Sequence, residues 1–268
     1  AAHPLPPTTT SREALHLAAS RGDLGGFLSA LRLSSAPAPP HLVLRLAREL
    51  GRRRCPHDAL RLLREVLPAQ HLEPGRDMLA AVLAAAAEGG LRDEALGVLR
   101  ELRERGYGLG GDNRLVNTLV AMHVRQGDVR AARELLAAAE AEGVLPDVYS
   151  LSALVKGHAR RGEVHEARQV LREMRHRGIA PNELTYTSLL TAYATAGMTR
   201  EAEAVLAEME EDLVSPNTVH YNVLVNMHAR QGHAREALAL VSAMRAAGLS
   251  PDLHTYTALL NMHASQPT

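Results

Sequence analysis

The sequence predicts an all-α fold, a right-handed α-solenoid of stacked helix–turn–helix repeats. The first observation is strict self-similarity after 35 residues, marked by a proline followed by aspartate or asparagine at Pro146-Asp147, Pro181-Asn182, Pro216-Asn217 and Pro251-Asp252. The second is that glycines and alanines keep the same interval, at Gly127, Gly162, Gly197 and Gly232 and at Ala132, Ala167, Ala202 and Ala237. Repeats of this length stack because each is too small to bury a core alone.

The repeat 148–182 shows why the chain should form two helices in each repeat. Asp147 precedes it as a good N-cap, because its carboxylate can accept from free backbone N–H groups of the next turn. Apolar residues then recur at three- and four-residue spacing, which predicts one buried helix face. Gly162 ends this helix, a second helix begins near Glu163, and Pro181 prevents its extension.

The same marks divide the chain into four regions. We expect four regular repeats over 113–252, preceded by two degenerate repeats over 40–112. Residues 1–39 are expected to hold a further degenerate repeat and a proline-rich break, and residues 253–268 the first helix of a truncated repeat. We therefore expect the natural protein to continue beyond this sequence. Since the first residue is alanine and no apolar secretory core follows, either an import peptide has been removed or the sequence starts downstream of the start codon.

The composition favours closely packed helices and excludes several classes of protein. Only 3% of the 268 residues are aromatic, so the core should consist of small and medium aliphatic side chains. The 30 basic residues balance 30 acidic residues, so the formal net charge is zero. Proteins that bind nucleic acids without sequence specificity usually carry an excess of basic residues. Cys55 is the only cysteine, which excludes an internal disulfide and favours a reducing compartment. No run approaches the roughly 20 apolar residues of a membrane span.

The period and the helix-opening segments carry a family resemblance. The strongest segments are Leu253-His-Thr-Tyr-Thr-Ala-Leu-Leu, Thr218-Val-His-Tyr-Asn-Val-Leu-Val and Glu183-Leu-Thr-Tyr-Thr-Ser-Leu-Leu. Tetratricopeptide repeats have 34 residues and favour a tryptophan that this chain lacks. The chain resembles the pentatricopeptide repeat family, sharply over 113–265 and weakly over 40–112. The resemblance implies import into a mitochondrion or chloroplast and binding of single-stranded RNA at about one base for each repeat.

The resemblance also implies which residues select the bases. In this family the fifth residue of a repeat and its last residue form the selecting pair. The pairs here are Asn117 with Asp147, Ser152 with Asn182, Thr187 with Asn217, and Asn222 with Asp252, while Thr257 begins a fifth. If the base code of the family applies to these pairs, the resemblance implies that the chain prefers RNA with the base order 5′-UAAU-3′. Two other roles stay open: the last residues are also ordinary N-caps, and the fifth residues can instead form structural hydrogen bonds between neighbouring repeats.

Phosphate and stacking contacts are implied in the same way. Family members place a cation near the end of the first helix, where this chain has Arg125, Arg160 and Arg230 but departs with Thr195. These cations are equally suited to complementing the helix dipole. Tyr149 occupies the position that stacks on bases, and an aromatic ring is suited to that contact.

The sequence predicts no catalytic activity, cofactor or metal site. Equivalent histidines of successive repeats, such as His123 and His158, should stand roughly 8–10 Å apart, too far to share a zinc ion bound at about 2.0–2.1 Å. Two functions remain. One is a non-catalytic organellar RNA-binding protein with single-stranded RNA as partner. The other is a scaffold subunit of an organellar ribosome or similar particle, which contacts protein and ribosomal RNA through shape and charge.

Overall fold

The computed structural model describes residues 11–34 and 37–264. These residues form α-helices and one π-helical segment, with no strand among them. The helices are α1 Ser11–Ser20, α2 Leu24–Arg32, α3 Pro40–Arg52, α4 Pro56–Arg61, the π-helical segment Leu62–Val66, α5 Leu67–Ala69, α6 Arg76–Glu88, α7 Arg92–Glu104, α8 Asn113–Arg125, α9 Val129–Ala141, α10 Val148–Arg160, α11 Val164–His176, α12 Glu183–Ala196, α13 Thr199–Glu211, α14 Thr218–Arg230, α15 Ala234–Ala246 and α16 Leu253–Ala264. The predicted all-α repeat solenoid is confirmed.

The chain divides into two compact bodies. The N-terminal body consists of the described residues up to Met122 with Ala141–Val144. The C-terminal body consists of His123–Glu140 with the described residues from Leu145 onward. Within the C-terminal body, the first helices of successive repeats lie side by side: α10 contacts α12, α12 contacts α14, and α14 contacts α16.

Helix boundaries in the C-terminal body follow from local capping. Asp147, Asn182 and Asn217 are N-caps, and each forms a reciprocal capping box with the third residue of the helix that it opens. At the other end, Gly162 and its equivalents have left-handed backbone angles, with φ of 71° at Gly162. That conformation is strained for residues with a Cβ, which explains the regular glycines.

The core consists of small aliphatic side chains, as the composition predicts. The four repeated alanines are completely buried, at Ala132, Ala167, Ala202 and Ala237. In the last hairpin, Ala237 and Val241 of α15 pack in one cluster with Val225 of α14 and Met262 of α16. Because alanine adds little volume, it lets the two helices of a hairpin approach closely.

The N-terminal body contains helical hairpins with less regular geometry. Gly22, with φ of 55°, separates α1 from α2. Between α4 and α5 the helix widens into the π-helical segment, in which the N–H of Leu67 bonds to the carbonyl of Leu62. Pro68 follows at once and has no N–H to donate, so the regular helical ladder is broken there. The repeat predicted over 40–75 therefore has an interrupted second helix. Of the terminal and proline-rich regions predicted above, residues 1–10, 35–36 and 265–268 lie outside the described residues.

Ion pairs connect the second helices of neighbouring repeats. Arg133 of α9 bonds to Glu173 of α11 at 3.1 Å. One repeat further on, Arg168 of α11 bonds to Glu208 of α13 through both guanidinium nitrogens, at 2.7 and 2.5 Å. Hydrogen bonds from Arg168 hold the pKa of Glu208 below its ordinary value, although burial opposes this shift. Within the described part of the chain, no helix combines the length and apolarity needed to cross a bilayer.

Candidate functional site

Exposed side chains follow one line along each first helix of the C-terminal body. This line runs through the second, fifth, ninth and thirteenth residues of a repeat, a spacing of three or four that keeps one helix face. We call it the first-helix line. Its exposed members are Tyr149, Leu184 and Val219 at the second position, Lys156, Thr191 and Asn226 at the ninth, and Arg160, Thr195 and Arg230 at the thirteenth.

The last residue of each repeat lies beside this line as a helix cap. The Asp147 carboxylate accepts from the N–H groups of Tyr149 and Ser150. Asn182 accepts from the N–H of Thr185 at 3.0 Å, and its Nδ2 group has no partner among the described residues.

The other two caps also contact side chains. Asn217 caps α14 through Oδ1 and donates from Nδ2 to the carboxylate of Glu183 at 3.0 Å. Asp252 accepts from the N–H of Thr255, which holds the pKa of Asp252 below its ordinary value. The N-cap role predicted for these residues is therefore present at each of them.

The fifth residues differ from one another in exposure. Ser152 is 1% exposed, and its hydroxyl lies 2.6 Å from the hydroxyl of Thr185. In this placement Ser152 bonds within the helix interface, and its contact with a base stays a prediction. Thr187 and Asn222 are half-buried at the edge of the first-helix line. Asn117 of α8 is also half-buried, and Thr257 of α16 is exposed.

Sequence reasoning missed the third residue of each repeat. Ser150, Thr185, His220 and Thr255 are at most 1% exposed. Each bonds to the cap that precedes it, and the last three also bond to the fifth residue of the preceding repeat. The signal was available, because a polar side chain occupies this position in each of these repeats on an otherwise buried helix face.

Cations lie at the ends of the first helices. Arg125, Arg160 and Arg230 are the last residues of α8, α10 and α14, and all three are exposed. Thr195, which departs from this pattern, donates to the carbonyl of Thr191. Lys156, which sequence reasoning did not select, is exposed one helical turn before Arg160. Tyr149 is 67% exposed, so its ring face is open for stacking.

The repeated histidines serve helix packing. Buried His228 bonds through Nε2 to the Glu203 carboxylate at 2.8 Å, and His158 bonds through Nδ1 to Glu163 at 2.8 Å. Among the described residues, no group of three or more histidine, cysteine, aspartate or glutamate side chains is arranged to hold a metal ion.

The corresponding surface of the N-terminal body has a different lining. A cavity of about 340 Å³ lies between α3, α6 and α8, and Ala80 and Ala84 contribute to its wall. Ala80 stands at the fifth position of its repeat and cannot hydrogen bond through its side chain. Arg48 and Asp77 border the cavity and lie 3.6 Å apart. Charged side chains also line this cavity, and alanine is present at the two positions, Ala80 and Ala84, where the C-terminal first helices carry polar residues.

Two helices in each 35-residue repeat, with polar and cationic side chains in register on the first, define an all-α helical-repeat protein. Over residues 142–265 the chain consists of pentatricopeptide repeats. The family profiles match residues 169–229 (pentatricopeptide repeat domain), 216–265 (PPR repeat family) and 142–175 (PPR repeat). A comparison with curated protein sequences found no match.

Solved structures of the same family are similar to this chain. The pentatricopeptide repeat protein PPR10 from maize is 27% identical with a TM-score of 0.65, over 92% of this chain and 35% of PPR10. PPR10 in complex with an 18-nt psaJ RNA element is 26% identical with a TM-score of 0.68, over 96% of this chain and 41% of PPR10. This chain thus spans less than half of the PPR10 chains. The PPR domain of Arabidopsis thaliana protein-only RNase P 1, in complex with tRNA, has a TM-score of 0.60 at 18% identity, over 71% of this chain and 99% of that domain, and shares the fold.

Proposed function

We propose that this chain is a non-catalytic RNA-binding protein that holds single-stranded RNA along the first-helix line of its C-terminal body. The observation that carries the proposal is the register of that line, which offers an exposed second position and a polar edge in successive repeats, with cations at Arg125, Arg160 and Arg230. Stacking surfaces and backbone-facing cations are the two contacts by which proteins hold single strands. The similarity to PPR10, whose structure contains bound RNA, supports the same function.

The proposed base order is 5′-UAAU-3′, read by the four pairs of fifth and last residues. Thr187 with Asn217 and Asn222 with Asp252 are the pairs best placed for this role, because each has a fifth residue at the edge of the line. In the second pair, buried Ser152 leaves the unpartnered Nδ2 group of Asn182 as the contact for adenine. The first pair, Asn117 with Asp147, is supported by the family resemblance alone.

Phosphate contact is assigned to Arg125, Arg160 and Arg230, since a guanidinium presents a planar fork of donors. By occupying a single-stranded segment, the protein would act in the processing, stability or translation of an organellar RNA. The organellar location is part of the proposal and follows from the family resemblance.

Binding to short RNAs tests the proposal. We expect the chain to bind an RNA containing UAAU more tightly than a scrambled RNA of the same composition, at a fixed moderate salt concentration because electrostatic affinity varies steeply with salt. The Asn222→Thr variant should shift the last preference from U toward G. Equal affinity for the two RNAs would remove the base order, and absence of binding to either would remove the function.

A scaffold role in an organellar ribosome or similar particle is the second candidate. The balanced charge and the burial of Ser152 favour it. A scaffold that contacts RNA through shape and charge would bind short single-stranded RNAs without base preference, so the same titration distinguishes the two functions.

A further inference from the structure

A chain of side-chain hydrogen bonds connects successive first helices beneath the first-helix line. The fifth residue of each repeat contacts the third residue of the next: Ser152 contacts Thr185, Thr187 contacts His220 at 3.0 Å, and Asn222 accepts from Thr255. The third residues are buried, whereas Thr187 and Asn222 reach the edge of the line. A hydrogen bond from a buried, immobile group can fix the orientation of the half-buried side chain above it.

The contacts of His220 determine what Thr187 presents. The backbone N–H of Asn217 donates to Nδ1 of His220 at 3.1 Å, so Nδ1 carries no hydrogen. Burial lowers the pKa of His220, which favours the neutral ring with its hydrogen on Nε2. Nε2 therefore donates to Thr187 Oγ1 at 3.0 Å, with the carbonyl of Glu183 as a second, more distant acceptor at 3.3 Å. The Thr187 hydroxyl donates to that same carbonyl at 2.8 Å. Thr187 is left with a lone pair and no free hydrogen.

Asn222 has the opposite polarity. Its Oδ1 accepts from the hydroxyl of Thr255, and its Nδ2 lies 3.0 and 3.1 Å from the two carboxylate oxygens of Asp252. These contacts fix which end of the amide is nitrogen, because a carboxylate only accepts. Because the amide nitrogen carries two hydrogens, one can serve both Asp252 oxygens while the second donates to a base.

We propose that two third residues, His220 and Thr255, are positioning residues that each fix the base-facing atom of the preceding repeat. Through His220, Thr187 becomes an acceptor suited to the exocyclic amino group of adenine or cytosine. Through Thr255, Asn222 becomes a donor suited to a carbonyl of uracil. The inference rests on the proposed RNA binding and adds a residue to its specificity.

Two isosteric variants test the role, because the chain contains its own control. Thr255→Val and Thr185→Val both remove a hydroxyl from a fully buried threonine that accepts a hydrogen bond from the N–H of the preceding helix cap. Thr255 supports Asn222, which is accessible, whereas Thr185 supports Ser152, which is not. We expect Thr255→Val to lower the preference for U over other bases at the fourth position by about tenfold, the worth of one good base contact. Thr185→Val loses the same capping contact as Thr255→Val. Because Oδ1 of Asn182 still accepts from the backbone N–H at position 185, the base preference at the second position should stay unchanged.

A second pair of variants addresses His220. In His220→Gln, the side-chain oxygen can accept from the N–H of Asn217, as in a capping box, and the amide nitrogen can donate to Thr187. This variant should retain the preference for A at the third position, whereas His220→Leu should lose most of it. In a Thr187→Val background, His220→Leu should have no further effect on base preference. Thermal unfolding of every variant reports changes in folding separately.

The RNA affinity and base preference of the parent protein are measured first. These values separate failure of the proposed RNA binding from failure of the positioning role. If the parent protein binds no RNA, the proposed function fails, and the inference fails with it. If it binds with base preference and Thr255→Val keeps that preference, the positioning role alone is wrong. If Thr255→Val and Thr185→Val reduce base preference equally, the effect passes through helix capping, and the positioning role is again overturned.

Discussion

Ser152→Ala separates structural from base-reading roles at the fifth position. The substitution removes a hydroxyl that is 1% exposed and bonded to Thr185. Thr185 keeps its hydrogen bond to Oδ1 of Asn182 at 3.0 Å, so no buried polar atom is left without a partner. The cost should therefore be that of one neutral hydrogen bond, about 1 kcal/mol of unfolding free energy. For a protein of this size that corresponds to a fall of roughly 2–4 °C in the melting temperature.

Base preference at the second position should not change in the same variant. The assay compares the affinities of parent and variant for RNAs that differ only at that base, alongside a thermal melt. Asn182→Asp is the matched comparison, because it keeps an N-cap and replaces the unpartnered Nδ2 donor by an acceptor. We expect it to change the preference while Ser152→Ala does not. Loss of preference in Ser152→Ala with an unchanged melting temperature would refute this account of the second repeat.

Three further predictions concern stability and electrostatics. Glu208 of α13 contacts both Arg168 and Arg175 of α11. Glu208→Gln removes the charge that these arginines share and should lower the unfolding free energy by about 2 kcal/mol. Glu134→Gln, in an exposed pair with Arg130 of the same helix, should change the unfolding free energy by less than about 0.5 kcal/mol, and equal urea midpoints for the two variants would contradict this. Since burial lowers the pKa of His220, the unfolded state takes up its proton first, and stability should fall as the pH drops below about 6.5. The urea midpoint should fall less between pH 7.5 and pH 5.5 in His220→Gln than in the parent protein. An equal fall in both proteins would contradict the role of His220 in this pH dependence. Arg160→Gln and Arg230→Gln should each reduce the slope of log affinity against log salt by about 0.7, the value for one phosphate contact of a single strand, and an unchanged slope would remove the phosphate role.

The sequence predicted the repeating elements well because their signals are local. The second helix of the repeat 148–182 was expected to begin near Glu163 and begins at Val164. N-caps, glycine turns and buried alanines each depend on residues within one or two turns of the chain. The π-helical segment was not predicted, although Pro68 is a local signal for a broken helix.

The candidate site was predicted less completely because it depends on contacts between repeats. Serine, threonine and asparagine are equivalent in a pattern of polar fifth residues, yet Ser152 is buried and Asn222 is not. The burial of Ser152 comes with its contact to Thr185 of the neighbouring first helix, which the residue types alone do not encode. The pairing of fifth with third residues spans 33 positions of sequence and becomes visible only when the helices are placed side by side.

The capping role of the last residues restricts how such a protein can evolve a new target. Asn182, Asn217 and Asp252 begin the next helix with the same side chains that border the first-helix line. Replacing a cap by a residue that cannot accept from the backbone typically costs about 1 kcal/mol. The residue types that these positions tolerate are therefore asparagine, aspartate, serine and threonine. Substitutions among these four change base recognition and keep the repeats folded.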